Sequence, residues 1–255
     1  MLWSHPIFAG TIVVVIALGL GLSLAAYRAA KAVLWKQPAV EEPDRLLYLS
    51  SSGRTRFAGG LTPVDYIGLN QPNSALAGVL SYGRDIAISP VGDRVQTLLG
   101  EMVSDNYFEV LGVRPFIGAP ISIANAGEAV VVISEGLWRS RFSADPNVIG
   151  QDLLLLPSSV GAISAKPTSY RVVGVVSSRY QGLLNAWERV QYWVPFRTRA
   201  LEYRCDQPDI LDRWPLGVVA RAAPGTSTDV ATQALLSSQD ALRRANHPDE
   251  PDWTL

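Results

Sequence analysis

The residue types that most often carry out chemistry are scarce in this sequence of 255 residues. Its two histidines, His5 and His247, lie near the two ends of the chain, which disfavours a zinc site or a Ser–His–Asp triad in the globular body. The single cysteine, Cys205, has no histidine partner there, and we interpret it as a half-buried apolar residue. Neither a G-x-S-x-G serine motif nor a phosphate-binding G-x-x-x-x-G-K-[ST] loop occurs. The sequence therefore predicts no catalytic residue, no metal site and no cofactor.

Carboxylate pairs are the remaining candidates for acid–base chemistry, because glycoside hydrolysis needs only two of them. The acidic residues available in the middle of the chain are Glu101, Asp105, Glu109, Glu128, Glu135, Asp145 and Asp152. Each lies beside a turn signal or on a predicted polar face, so we expect capping or solvation rather than catalysis. Aromatic-rich stretches at 106–108, 136–142 and 187–196 favour core packing over a ligand platform.

An uncharged apolar run, residues 7–26, predicts a transmembrane helix near the N-terminus. At 1.5 Å rise per residue this helix is about 30 Å long, which matches the hydrocarbon core of a bilayer. Trp3 precedes it, and Tyr27 and Trp35 follow it, as aromatic residues do at membrane interfaces. A cleaved signal peptide is the alternative, but residues 1–6 contain no Lys or Arg and the run is too long.

The charge pattern gives little information on orientation or partners. Arg28, Lys31 and Lys36 follow the apolar run, which by the positive-inside rule favours a cytoplasmic position for the rest of the chain. This excess is small, and large domains cross membranes despite such charges, so charge alone leaves the orientation open. Over the whole sequence, 22 basic and 23 acidic residues give a net charge of −1. This balance provides no electrostatic basis for binding nucleic acid.

The rest of the chain predicts an α+β domain with many strands and few, short helices. Apolar and β-branched runs predict strands at 45–51, 76–82, 93–103, 129–134, 153–156, 170–176, 191–194 and 216–222. The run at 129–134 is continuous, which is typical of a strand buried on both faces. Helices are predicted at 62–70, 106–111, 135–142 and 228–246. In the last of these we expect one face to carry Val230, Leu235, Leu236 and Leu242.

Local signals place the ends of two of these helices. Thr62, Pro63 and Asp65 have the form of a helix start, with a capping hydroxyl, proline in the first turn and an acid. Gly112 is typical of a residue that ends a helix. From the element order we predict four segments: a membrane helix with its extension (1–38), two parts of a parent lobe (39–104 and 205–255) and an inserted strand-rich lobe (105–204).

Several blocks of this sequence, taken in order, resemble the periplasmic core domain of MacB-like ABC transporter permeases. The blocks are IALGLGLSLAAYRAAKAVLW (16–35), EEPDRLLYLS (41–50), MVSDNYFEVLGVRPFIG (102–118), VVVISEGLWRSRFSADPNVIGQDLLL (130–155), YRVVGVV (170–176), YWVPF (192–196) and VVARAAPGTSTDVATQALL (218–236). Their order and spacing follow the family over nearly the whole chain. The resemblance implies a porter-like lobe of strand–helix units that carries an inserted strand-rich lobe, standing on the first transmembrane helix of a permease.

The resemblance also implies a place and a role. It implies an anchor in the inner membrane lipid with the large domain periplasmic, and a role in efflux, lipoprotein release or envelope signalling. The implied partners are a separate cytoplasmic ABC ATPase and the remaining permease helices, with a homodimer as a further option. Three such helices follow this domain in the family and none precedes Leu255, so we expect a fragment or a split subunit. The alternatives are a signal-anchored periplasmic enzyme and a ligand-binding module.

Overall fold

In the described part of residues 38–255, one continuous nine-stranded sheet organises the domain. A computed structural model describes residues 16–24, 27, 39–49, 61–125, 127–158, 167–184, 188–202 and 216–246. The strands are β1 (Leu46–Leu49), β2 (Leu76–Val91), β3 (Arg94–Val103), β4 (Ile117–Gly118), β5 (Val130–Ser134), β6 (Asp152–Pro157), β7 (Thr168–Val176), β8 (Tyr192–Pro195) and β9 (Gly217–Ala222). The helices are α1 (Pro63–Leu69), α2 (Tyr107–Leu111), α3 (Glu135–Arg141), α4 (Phe196–Glu202) and α5 (Thr228–Asn246).

The strand order in this sheet is β1-β9-β2-β3-β8-β5-β7-β4, with β6 pairing to both β2 and β7. Most neighbours are antiparallel, and the exceptions are the parallel pairs β3–β8 and β5–β7. The hairpin of β2 and β3 is the longest pairing, since its register runs from Tyr82 opposite Val103 to Val91 opposite Arg94. Gly92 begins its turn with φ 58°, a left-handed conformation that glycine adopts at no steric cost.

Apolar side chains cover both faces of the sheet. On one face, α1 and α5 pack on Val79, Val218 and Ala220, and a second cluster near α3 contains residues of β5 to β8. On the other face, a third cluster joins Leu80 of β2 and Val219 of β9 to residues of β5 and β8. Consecutive residues such as Val79 and Leu80 enter different clusters because side chains alternate along a strand. The fold is thus a mixed α+β structure with a large sheet, and the two-lobe division and the segment boundaries stay predictions.

Several predicted elements are confirmed because their signals are local. Thr62 caps α1, since its hydroxyl accepts from the amide of Asp65 and the Asp65 carboxylate accepts from the amide of Thr62. This reciprocal pairing is a capping box. Gly112 ends α2 with φ 67°. The β5 run is buried along its whole length, as expected for a strand covered on both faces.

Two details of the predicted elements are wrong. Strand β2 continues to Val91 rather than ending near Tyr82, because hairpin pairing with β3 extends it through a stretch with polar residues. In α5 the buried side chains are Ala231 and Leu235, whereas Val230 is 56% exposed. A stripe through 231, 235, 238 and 242 fits the helical period, and Val230 lies beside that stripe.

The predicted transmembrane helix falls mainly outside the described residues. Residues 16–24 and Tyr27 are helical, and the remainder of 7–26 lies outside the described part of the chain. Among the helices that are described, none is long and apolar enough to cross a membrane. Residues 1–37 form a unit separate from residues 38–255.

Candidate functional site

A buried carboxylate, Glu101, lies near the end of β3. Side chains of this strand alternate, so Glu101 shares a face with Val103, while Met102 points to the opposite face. Both faces are covered at this end of the strand, and Glu101 has no exposed surface. The prediction of a solvated or capping role is therefore wrong for Glu101.

Four hydrogen-bond donors surround the Glu101 carboxylate. The Tyr107 hydroxyl and Trp193 Nε1 donate to Oε2 at 2.6 and 2.7 Å. The backbone N–H groups of Leu183 and Leu184 donate to Oε1 at 2.6 and 2.8 Å. Bonds of this kind to a charged group contribute about 1.5–3 kcal/mol each. Together they offset a large part of the cost of removing the charge from water.

Three separate elements position these donors. Tyr107 begins α2, directly after β3, and Trp193 lies opposite Glu101 in the parallel pairing of β3 with β8. The two amides belong to the loop after β7, which approaches closely at Gly182 with φ 89°. A Cβ at Gly182 would lie 2.7 Å from Glu101 Oε1 and 2.5 Å from Val190 Cγ2. The loop can reach the carboxylate because this position is glycine.

A second tyrosine, Tyr180, extends the network. Its hydroxyl shares a hydrogen bond with the Tyr107 hydroxyl, and its ring stacks on Trp193 with a centroid distance of 5.5 Å. Phe108 packs edge-on against Tyr107 and Trp193, at 5.2 and 6.1 Å. We call Glu101, Tyr107, Tyr180 and Trp193, with the amides of Leu183 and Leu184, the Glu101 cluster.

Burial controls the protonation of this cluster. Burial raises the pKa of Glu101, and the hydrogen bonds from its four donors oppose that rise only in part. Burial, together with the nearby Glu101 charge, raises the pKa values of Tyr107 and Tyr180 well above 10. Both hydroxyls are therefore protonated and able to donate at neutral pH.

The hydrogen bonds of the Glu101 cluster hold the loop after β7 on the sheet. Each oxygen of Glu101 already accepts two hydrogen bonds, which fills the roughly four acceptor positions of a carboxylate. A substrate proton or a metal ion would have to displace these protein donors. Among the described residues, no group of three or more His, Cys, Asp or Glu side chains is placed to hold a metal ion.

A second buried charge, Asp85, lies on the opposite face of the sheet. Asp85 Oδ2 accepts from Arg199 Nε at 2.9 Å and from the Tyr192 hydroxyl at 2.7 Å. Arg199 Nη2 is also 2.9 Å from Oδ2, and its guanidinium lies over the Tyr170 ring at 5.7 Å. Both charged side chains are fully buried, so this ion pair joins α4 to the β2–β3 hairpin out of contact with solvent.

A third polar group fixes residues 39–45, which we call the connector, to the body of the domain. Arg221 on β9 donates to the backbone carbonyls of Glu41, at 2.6 Å, and of Val110 in α2. Its Nη1 also donates to the carbonyl of Glu42 at 3.4 Å. Arg221 is buried, and this burial and then the nearby Arg45 charge lower its pKa. One guanidinium therefore bonds to both the connector and α2.

Further bonds reinforce the connector. Arg45 donates to the carbonyl of Ala222 at the end of β9 and pairs with the Glu42 carboxylate. The amide of Glu41 donates to the carbonyl of Leu111, at 3.0 Å. Glu42 has φ 42°, an uncommon backbone conformation for a residue with a side chain. These hydrogen bonds fix the backbone of the connector against β9 and α2.

The other sequence candidates do not meet in one place. Asp105 faces Arg197 at 3.7 Å, and Glu128 pairs with Arg171 at 2.6 Å. Glu135 accepts from Arg139 in its own helix, whereas Asp145 accepts from amides of its own loop; Glu109 and Asp152 are exposed. Asp145, Glu109 and Asp152 match the predicted capping and solvation, whereas Asp105, Glu128 and Glu135 form ion pairs that the sequence did not predict. His5, His247 and Cys205 lie outside the described residues.

The described aromatic residues of the predicted stretches pack in the core, as predicted, and Trp187 lies outside the described residues. Tyr107, Phe108, Tyr192 and Trp193 are fully buried. Trp138 is partly buried, and its Nε1 donates to the carbonyl of Asp145 at 2.8 Å. The aromatic side chains of the Glu101 cluster contact one another and the carboxylate, so their surfaces are covered by other protein groups.

Three of the buried charges were not singled out by the sequence. Asp85, Arg199 and Arg221 each lie in a segment that gives only an ordinary strand or loop signal. A charged residue inside an otherwise apolar strand could have identified Arg221, in GVVARA, and the same signal marks Glu101, in GEMV.

Solved structures share this fold. The periplasmic region of MacB from Actinobacillus actinomycetemcomitans superposes with a TM-score of 0.57 at 19% identity, covering 77% of this chain and 83% of that one. The extracellular domain of the noncanonic ABC-type transporter YknZ from Gram-positive bacteria gives a TM-score of 0.53 at 14% identity, with 80% and 94% covered. Both likenesses concern the fold.

Sequence comparison assigns the family. None of the curated proteins matches this chain. The family described as MacB-like periplasmic core domain matches residues 9–237, which include every strand of the sheet. The predicted resemblance is therefore confirmed, and the chain belongs to the family of MacB-like periplasmic core domains.

Proposed function

We propose that this chain is the non-enzymatic, extracytoplasmic core domain of a MacB-like ABC transporter permease. The observation that carries the proposal is the family match over residues 9–237, which covers most of the apolar run and every described strand of the sheet. In this proposal residues 7–26 anchor the chain in the inner membrane, and the sheet domain lies outside it. The porter-like and inserted lobes correspond to the predicted segments 39–104 with 205–255, and 105–204.

The internal chemistry supports a mechanical role over a catalytic one. The most deeply buried carboxylates, Glu101 and Asp85, accept hydrogen bonds from donors of the protein itself. Such groups fix elements relative to one another, and they need no ligand to do so. A domain of this kind is suited to passing on movements that ATP hydrolysis drives elsewhere in a transporter.

The partners in this proposal are a separate cytoplasmic ABC ATPase, the remaining permease helices and the surrounding lipid, with a second copy of the chain as a further partner. Efflux, lipoprotein release and envelope signalling are the roles that fit such an assembly. Co-purification from solubilised membranes tests it directly. We expect an ABC ATPase to be retained by the chain, and to be lost when the sheet domain is expressed without residues 1–37.

Orientation is tested by labelling one exposed position from either side of the membrane. Arg179 is exposed in the loop after β7, so Arg179→Cys in a Cys205→Ser background offers a single reactive thiol. We expect a membrane-impermeant maleimide to label it in spheroplasts without permeabilisation. Labelling only after permeabilisation would place the domain in the cytoplasm and refute the proposed orientation. The Cys205→Ser chain without the new cysteine is the matched control.

A further inference from the structure

The two ends of helix α2 are hydrogen-bonded to two different polar networks, the Glu101 cluster and the bonds around Arg221. Its first residue, Tyr107, donates to Glu101 and contacts Tyr180 in the Glu101 cluster. At its other end, the carbonyls of Val110 and Leu111 accept from Arg221 and from the amide of Glu41. The helix has five residues, so the two groups are separated by little more than one turn.

From this placement we propose that α2 couples the connector energetically to the loop after β7, with Arg221 as the positioning residue. Arg221 bonds to both the connector and α2, so removing it breaks one of the two bonds at that end of the helix and loosens the connector that makes the other. Tyr107 at the other end bonds to the carboxylate that holds the amides of Leu183 and Leu184. A movement of the connector is thereby transmitted to the loop. The coupling is a property of this domain and does not depend on the proposed transport function.

The packing around α2 makes it a rigid intermediate. Tyr107, Phe108 and Leu111 have at most 1% exposed surface, and Phe108 contacts the Trp193 ring. Gly112 directly follows the helix, and a Cβ at this position would collide with the Glu41 side chain. The connector is therefore in close contact with the C-terminal end of α2. A short, close-packed helix cannot absorb a displacement at one end by bending, because interiors are packed nearly as densely as crystals.

Hydrogen–deuterium exchange on the full chain in detergent micelles tests this coupling. We expect Arg221→Gln to accelerate exchange about tenfold in peptides that contain Leu183 and Leu184, equal to about 1.4 kcal/mol of opening free energy. The matched control is Arg171→Gln, which breaks an exposed ion pair with Glu128 and should leave these amides unchanged.

The coupling must also work in reverse, because linkage is reciprocal. Tyr107→Phe removes the hydroxyl from the Glu101 cluster without touching Arg221, and it should accelerate exchange at the connector amides of Glu41 and Arg45. This variant keeps the test decisive if Arg221→Gln does not fold. Arg45→Gln gives a milder change at the connector, and a smaller acceleration at Leu183 and Leu184 is expected.

Two outcomes would overturn the proposal. One is faster exchange confined to the connector, with the amides of Leu183 and Leu184 unchanged. The other is an equal acceleration everywhere, including amides of β5 and β7 such as those of Val131 and Val172, because that is global destabilisation rather than coupling through α2.

Discussion

Replacing Glu101 by glutamine tests whether the Glu101 cluster holds the loop on the sheet. A glutamine amide has one acceptor oxygen, so it can keep the backbone donors of Leu183 and Leu184 or the two side-chain donors, but not all four. If its NH₂ group replaces Oε2, the indole N–H of Trp193 faces another donor and loses its partner. The Tyr107 hydroxyl can rotate and accept instead.

The size of the effect follows from these contacts. The Trp193 bond to a charged acceptor is lost at about 1.5–3 kcal/mol, the other three bonds become weaker bonds between neutral groups, and removal of a buried charge offsets part of the loss. We expect Glu101→Gln to lower the free energy of unfolding by about 2–4 kcal/mol at neutral pH. The measurement is urea unfolding of the full chain in detergent, followed by far-ultraviolet circular dichroism.

Glu109→Gln is the matched control, since Glu109 lies eight residues further along the same stretch and is exposed. We expect it to change stability by no more than about 0.5 kcal/mol. If Glu101→Gln were equally neutral, the four hydrogen bonds would contribute nothing to the fold, and the reasoning about the Glu101 cluster would be wrong.

The pH dependence of stability, compared between the natural chain and Glu101→Gln, is a second test of the Glu101 cluster. Because burial raises the pKa of Glu101 above 4.5 in the folded state, the folded protein binds this proton more tightly than the unfolded chain. Stability from this group is therefore full below pH 4.5 and is lost as the pH rises through the folded pKa. The stability advantage of the natural chain over Glu101→Gln should be larger near pH 4 than near pH 7, and the opposite slope would contradict the assignment.

Three other substitutions probe other parts of the domain. Gly182→Ala forces a side chain into a left-handed backbone position against Glu101, and should cost about 2–3 kcal/mol in urea unfolding, against about 1 kcal/mol for Gly225→Ala, which meets open space. Asp85→Asn breaks the buried ion pair and should cost about 3–5 kcal/mol, which a cost below 1 kcal/mol would contradict. Hydrogen bonds, first from the Arg139 side chain, lower the pKa of Glu135 to about 2, so its stabilising contribution exists above pH 4.5 and disappears as the pH falls through 2. Thermal unfolding of Glu135→Gln should therefore differ from that of the natural chain near neutral pH and converge with it near pH 2.

Sequence reasoning succeeded where a few neighbouring residues determine the structure. The capping box of Thr62 and Asp65, the helix end at Gly112 and the buried run of β5 are all contained in short segments. The prediction of the buried face of α5 was wrong at Val230. The sequence allows more than one apolar stripe along this helix, and packing against α1 determines which one is buried.

The polar groups could not be predicted because their partners come from distant parts of the chain. Arg199 is 114 positions from Asp85, and Arg221 is 180 positions from Glu41. Glu101 lies among apolar residues in its strand, but its burial depends on a loop 82 positions away. No local sequence pattern predicts that contact. Distant pairings of this kind are set by topology, which a single sequence does not reveal.

The position of β9 in the sheet also determines when the domain can complete its folding. Strand β9 lies between β1 and β2, so the first strand has no partner in the described sheet until one of the last elements arrives. Arg45 and Ala222 illustrate the distance, since they bond across 177 positions. Closing such long loops is slow, and the exposed edge of β2 is prone to wrong pairing meanwhile. A chain emerging N-terminus first must therefore keep β1 and β2 apart and soluble until residues 217–222 insert between them.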